Sequence, residues 1–270
     1  MVYALMILLA YVMTYPILWL LSAALKPNEE IFTTNNLIPA KLVFTSFING
    51  WDPPGPYSYT TYFLNTFKLV VPTVIFTVVS SFLVAYGFAR FRFRFKNLLY
   101  LLMLSSLMLP NEVTLIPKYI FFNQLGWGDS YLPIVVPSMF ATYSFFIFLL
   151  VQFIRTLPSE LDKAATIDGC NSFDVLVRII LPLSFPVIMC CVIFQFVWRW
   201  NEFLNILVYI NSASKFPVAL ALRMNLDTTD SILWGNTLAM AFLVIIPPTI
   251  LFFICQRYLV EGISTTGLKG

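Results

Sequence analysis

With no histidine among 270 residues, the sequence lacks the commonest general base and the commonest metal ligand. Its four cysteines, Cys170, Cys190, Cys191 and Cys255, form no Cys-x-x-Cys pair and read as small apolar residues, with no disulfide framework or zinc site. The side chains left to do chemistry lie inside apolar sequence. Arg199, Asn201, Glu202 and Asn205 interrupt an apolar run, with Trp198 and Trp200 among them. Hydrogen-bonding groups beside aromatic faces suit a sugar pathway, because pyranose rings carry hydroxyl rims and apolar C–H faces. The same residues equally suit an intramembrane Arg199–Glu202 pair at helical spacing, with the tryptophans as interfacial anchors. Glu112, just after Pro110, is a further candidate. A charge costs roughly 2.5–3.5 kcal/mol at mid-bilayer, so Glu112 either faces a cavity or gate or reaches the outer interface beside Lys118. None of this amounts to a catalytic or metal-binding set.

Composition fixes the elements that must position these groups. The chain is 59 % hydrophobic and 11 % charged, against about 25 % charged in ordinary globular domains. Its mean hydropathy is +0.84. Twenty-seven Phe, 13 Tyr and 6 Trp fit a lipid-facing surface with aromatic belts, and a net charge of +3 is too mild for nucleic-acid binding. Six stretches are long enough for membrane helices: Val2–Leu25, Phe67–Phe88, Leu98–Ile116, Leu132–Phe153, Leu183–Ile210 with its polar interruption, and Leu238–Gln256. The first lacks the basic flank of a signal peptide and is read as a span.

Lys and Arg sort unevenly between the two sides of such a bundle. Arg90, Arg92, Arg94, Lys96, Arg155, Lys163, Arg178, Arg257 and Lys269 fall on one side, mostly close to helix ends. Lys26, Lys41, Lys68, Lys118, Arg199, Lys215 and Arg223 are spread over longer acidic loops on the other. The positive-inside rule makes the first side cytoplasmic, together with both termini, and the run Ala89–Asn97 (ARFRFRFKN) is its strongest anchor. The outer segments are then 26–66, irregular because of the Pro- and Gly-rich Trp51–Tyr59, and 211–235, polar enough to meet a partner or substrate. No internal repeat appears, so residues 1–270 read as one membrane domain.

One cytoplasmic segment, 156–182, carries a pattern of its own. Ser159 and Asp162 have capping-box spacing, and Leu161, Ala164 and Ala165 are expected to share a helical face whose small residues admit another surface. Asp168-Gly169 breaks that helix, and Asn171 or Ser172 caps a second one running to Ile180, before Pro182. The result is a helix–Gly–helix hook.

The spacing Ala164-Ala165-x-x-x-Gly169, followed by Ile179-x-Leu181-Pro182, resembles the EAA motif of permease subunits of binding-protein-dependent ABC importers. Trp198–Leu207 (WRWNEFLNIL), Leu107–Pro137 and the ending Gln256–Gly270 resemble the carbohydrate-uptake, maltose-type permeases of the MalG kind, so the likeness runs over essentially the whole chain. It implies an all-α polytopic membrane protein of the type I ABC importer permease fold, with six transmembrane helices and a cytoplasmic coupling loop. It also implies a bacterial inner-membrane location, a second related permease completing a heterodimer, an ATPase dimer that binds ATP and Mg, an external solute-binding protein, surrounding lipid, and no cofactor on this chain. The ATPase-coupling residues are then Glu160, Leu161, Asp162, Lys163, Ala164, Ala165, Asp168 and Gly169. The tail residues Gly267, Leu268 and Lys269 approach the ATPase, or else form a plain polar terminus. Glu112, Trp198, Arg199, Trp200, Asn201, Glu202 and Asn205 are the candidates for the translocation path. Lys163 stands where the motif has Glu, so Glu160 or Asp162 takes over the acidic role, or the ATPase presents a different charge. Met1-Val2-Tyr3 replaces the family's usual basic start, which implies shortening there.

Other classes fit less well. Gly262–Lys269 imitates a phosphate loop, but Leu268 parts Gly267 from Lys269 and neither Ser nor Thr follows, so it is no Walker A motif. A stand-alone secondary transporter wants buried ionisable relays and repeats, and a membrane enzyme wants convergent titratable groups. An importer of the same superfamily for another solute, such as a glycerol phosphodiester or phosphate ester, stays open, since Arg199 and Arg223 tolerate an anion.

Overall fold

The computed structural model describes residues 2–34, 36–39, 41–226 and 233–267, with side chains to 259. No strand occurs among them. The helices are α1 (Val2–Ala24), α2 (Thr45–Trp51), α3 (Tyr59–Arg90), α4 (Lys96–Ser105, continued by a 3₁₀ turn to Met108), α5 (Asn111–Gln124), α6 (Leu132–Ser138), α7 (Ser144–Thr156), α8 (Glu160–Ile167), α9 (Ser172–Val175), α10 (Leu181–Leu183), α11 (Phe185–Trp200), α12 (Leu204–Tyr209), α13 (Val218–Met224) and α14 (Trp234–Gly267). Three helices, Val2–Ala24, Tyr59–Arg90 and Trp234–Leu259, are long and apolar enough to cross a bilayer unaided. Three bent pairs reach the same length and hydropathy only when each is taken together, for up to six spans: Lys96–Met108 with Asn111–Gln124, Ser144–Thr156 with Glu160–Ile167, and Ser172–Leu183 with Phe185–Trp200.

Those bends correct the straight spans expected from hydropathy. The run Leu98–Ile116 breaks at Leu109-Pro110 with a 101° turn. Leu109 precedes a proline and is therefore pushed into extended backbone (φ −81°, ψ 119°), which a helix cannot continue through. The run Leu132–Phe153 breaks between α6 and α7, where Ala141 adopts φ +53° and donates its N–H to the Ser80 hydroxyl at 3.2 Å. Ser80 in turn donates to the Ser138 carbonyl at 2.8 Å, so one buried hydroxyl holds the corner. The expected stop at Ile180 also fails. The helix passes through a π turn at Leu176–Ile180 into α10, and the 74° bend falls instead at Ser184, ahead of Pro186 in the first turn of α11. A π turn relaxes the backbone register, which lets the chain carry Pro182 without its missing N–H.

The chain divides into two compact units. The first, residues 1–67 and 211–249, joins the two segments expected to lie outside. The Asn28 side chain accepts the Gly235 N–H at 2.7 Å, Asn65 donates to the Ser214 and Phe216 carbonyls, and Thr66 accepts the Val218 N–H at 2.8 Å. These segments are more ordered than Pro and Gly content alone suggests. Thr45–Trp51 is helical, α3 begins at Tyr59 rather than Phe67, and α13 occupies part of the polar stretch 211–235. Residues 227–232 of that stretch lie outside the described residues. The second unit, residues 68–210 and 250–270, holds both candidate functional regions.

Candidate functional site

The hook begins where Leu157, extended before Pro158, ends α7. A 74° bend leads into α8. Ser159 does not cap α8, correcting the capping-box expectation. Its backbone is already helical, and its hydroxyl donates to the Glu160 carboxylate at 3.3 Å. Asp162 has left the cap for Arg90, the last residue of α3, in an ion pair of 2.8 Å. Arg90 also donates from Nη2 to the Leu157 carbonyl at 3.1 Å, and Tyr86, one turn earlier, donates to the Ser172 carbonyl at 3.1 Å. The end of α3 therefore grips both arms of the hook. The sequence presents Arg90 only as a membrane anchor, and its place in ARFRFRFKN gives no hint of the pairing.

The corner itself is set by Gly169. The Gly169 N–H bonds the Thr166 carbonyl at 3.1 Å and the Cys170 N–H bonds the Ala165 carbonyl at 2.9 Å, closing α8 with the paired hydrogen bonds of a Schellman end. This geometry needs left-handed backbone, and Gly169 has φ +88°. A Cβ there would meet nothing within 4 Å, so the backbone angle alone demands glycine. Two residues later, Asn171 accepts the Phe173 and Asp174 N–H groups at 2.9 Å, and Asp174 accepts the Asn171 N–H, a capping box at the position expected.

The faces of α8 differ from expectation. Ala165 is buried, while Leu161 and Ala164 are exposed, as are Ile167 at 86 % and Phe173 at 68 %. Lys163, Asp168 and Glu160 are also exposed. A hydrogen bond from its own backbone N–H, then one from Ser159, with Lys163 and Arg90 adding their charge, hold the Glu160 carboxyl below the ordinary carboxylate range. Gly267 ends α14, and the tail residues Leu268 and Lys269 lie outside the described residues. Cys170 is half-buried at the corner, whereas Cys190, Cys191 and Cys255 are buried free thiols.

The polar interruption of the fifth run forms the second region. Arg199 Nη1 meets Glu202 Oε2 at 3.1 Å, the pair anticipated from spacing, and Glu202 Oε1 accepts Asn205 Nδ2 at 2.8 Å. Arg199 also lies over the Tyr143 ring, 5.1 Å from its centroid. Arg199 and Asn205 line a cavity of about 290 Å³, along with Asn111, Lys118, Phe122, Thr142, Tyr143 and Tyr209. The remaining candidates stand elsewhere. Trp198 packs against Phe145, Phe146 and Phe194; Trp200 is buried and stacked on Phe196; Asn201 is exposed and donates to the Val197 carbonyl. Glu112 is exposed in the first turn of α5 and does not line the cavity. Asn111, Lys118 and Tyr143 were missed as cavity residues. The sequence signal for the first two was Pro110, which turns α5 and carries them to the cavity wall.

Comparison with known proteins bears on the family and the fold. Residues 77–265 match the family model described as binding-protein-dependent transport system inner membrane component. The osmoprotective compounds uptake permease protein GgtD of Synechocystis is 32 % identical, over 97 % of this chain and 89 % of its own length. The arabinooligosaccharides transport system permease protein AraQ of Halalkalibacterium halodurans is 30 % identical, over 97 % and 93 %. A chain of a solved bacterial ABC transporter involved in the import of the acidic polysaccharide alginate superposes with a TM-score of 0.82, covering 95 % of this chain and 94 % of that one, at 20 % identity.

Proposed function

The chain belongs to the family of binding-protein-dependent transport system inner membrane components, and on that premise we propose that it is one of two related permease subunits in an ATP-driven importer of a sugar or oligosaccharide. The observation that carries this reading is the hook. Asp162 is tied to Arg90 and Asn171 and Asp174 cap the second arm, while Leu161, Ala164, Ile167 and Phe173 stand exposed, uncovered by the rest of this chain, beside Glu160, Lys163 and Asp168. Such a braced projection, with apolar side chains among charged ones, suits insertion into a cleft of a partner. The partner is an ATPase dimer, which holds ATP and Mg, and no cofactor is assigned to this chain.

In the proposed cycle, an external solute-binding protein docks on segments 26–66 and 211–235. Closure of the ATPase dimer then moves the hook, and the Arg90–Asp162 pair and the Tyr86–Ser172 bond carry that motion into α3. The hook and both termini face the cytoplasm, and Gly267, Leu268 and Lys269 reach toward the ATPase. Asp162 is engaged by Arg90, so Glu160 is the free acid that stands in for the Glu replaced by Lys163. The sugar reading draws on the named cargo of AraQ, and the name of GgtD keeps a compatible solute as the second reading.

Gentle extraction of the tagged chain from its native membrane, with mass spectrometry of what stays bound, tests the assembly. Recovery of a second permease and an ATPase is expected. A chain recovered alone, and active in liposomes without ATP, would replace this proposal with a self-sufficient carrier.

A further inference from the structure

The cavity between α5, α6, α7, α11 and α12 carries more positive charge than its surroundings balance. Two cations line it, Lys118 and Arg199. The one carboxylate of the cluster, Glu202, is taken up by Arg199 at 3.1 Å and by Asn205 at 2.8 Å. Lys118 has no carboxylate within 4 Å among the described residues, and Glu112, on its own helix, is not on the wall. Arg199 is 11 % exposed, and its buried Nε lacks a hydrogen-bond partner. The buried guanidinium N–H of Arg199 is costly while unmade, and the exposed Lys118 on the same wall stands open to an anion that enters. The rest of the wall is suited to a sugar ring. Asn111, Thr142 and Asn205 offer hydrogen bonds, and Phe122, Tyr143 and Tyr209 offer aromatic faces.

We propose that this cavity binds the carboxylate of an acidic sugar unit, a uronate, with Lys118 supplying the free charge and Arg199 held in place by Glu202 and Tyr143. The proposal rests on the sugar-importer reading and narrows its cargo to acidic carbohydrate. Lys118 is the residue that discriminates. Arg199 is already half neutralised by Glu202, so it orients the ligand, whereas the ammonium distinguishes a carboxylate from the hydroxymethyl group of the neutral sugar.

The test uses the assembled importer containing this chain with its external solute-binding protein, in phosphatidylcholine proteoliposomes with ATP in the ATPase-facing compartment. A pectin hydrolysate is supplied, which presents oligouronates and neutral galacto- and arabino-oligosaccharides of equal length, and the accumulated species are read by mass spectrometry. The wild type and Lys118→Arg should accumulate acidic over neutral oligomers, and Lys118→Met should lower that ratio about tenfold, the worth of one charge-assisted hydrogen bond. Equal ratios in the wild type and Lys118→Met, or a wild type that favours neutral oligomers, would overturn the proposal. Phosphatidylglycerol is the competing source of an anion. If its phosphate co-purifies with the wild type and Lys118→Arg but not with Lys118→Met, and oligouronates fail to displace it, the cavity belongs to lipid and the uronate assignment falls. The two readings fail separately: neutral-sugar uptake without acidic preference removes this proposal alone, and uptake of neither class removes the sugar reading with it.

Discussion

The hook and the cavity are both polar clusters in apolar sequence, yet they handle their polar groups in opposite ways. In the hook, Asp162 pairs with Arg90, Asn171 and Asp174 close a helix cap, and the outward surface mixes Leu161, Ala164, Ile167 and Phe173 with Glu160, Lys163 and Asp168. In the cavity, Lys118 stands without a carboxylate partner among the described residues. The contrast separates a part that moves as one piece from a part that receives something. Satisfied hydrogen bonds make a segment stiff, and unsatisfied ones make a place for a ligand.

The comparison can be broken most sharply at the corner. Gly169→Pro cannot adopt φ +88° and should cost about 3 kcal/mol locally. ATP-driven uptake should fall about a hundredfold while the chain still co-purifies with its partners; uptake at the wild-type rate would remove the hook from the mechanism. Next in size, Arg90→Glu should lower uptake about tenfold, since breaking a partly buried pair is worth roughly 1–3 kcal/mol. Adding Asp162→Lys should restore much of the loss, and a double variant as poor as the sum of its singles would show that the pair transmits nothing.

On the cavity side, Glu202→Gln frees Arg199 from its counter-charge. A several-fold change in the KM of uptake is expected, with the number of ATP hydrolysed per solute unchanged. A shift in that stoichiometry would merge the two regions functionally. Smallest of all, Asn171→Ala removes one helix cap, worth about 1 kcal/mol, and should lower the Tm of the purified complex by about 2–4 °C with little effect on transport. A loss of transport as large as that of Gly169→Pro would mean that the second arm also touches the partner.

The hook was largely legible before its geometry was known, because its determinants are local. A glycine after Asp168 and an asparagine two residues later fix two helix ends whatever surrounds them. The Arg199–Glu202 pair was legible for the same reason, being three residues apart on one helix. What escaped was non-local. Arg90 and Asp162 are far apart in sequence, and nothing in either neighbourhood names the other. Ala165 and Ala164 are both small, and only the packing of α8 decides which is buried. The breaks near Pro110 and Ala141 show a third kind of loss. Hydropathy averages over a window and does not register one pre-proline residue, or one hydroxyl such as Ser80 catching a backbone N–H. The cavity residues Asn111 and Lys118 were hidden behind that same averaging.

The 101° turn at Leu109-Pro110 also bears on the lipid around it. Helix α4 with its 3₁₀ turn rises only about 20 Å, against a hydrocarbon layer of about 30 Å. The chain thus changes direction before the bilayer has ended. Backbone that leaves helical pairing at such a depth has to be wetted or covered by protein, because acyl chains offer it no hydrogen bonds. The turn therefore needs cover from protein or water, and Asn111 and Lys118 lie on the cavity wall beside it. Where water supplies that cover, a hydrophilic cargo crossing beside this subunit faces a dielectric barrier thinner than the membrane that holds the protein.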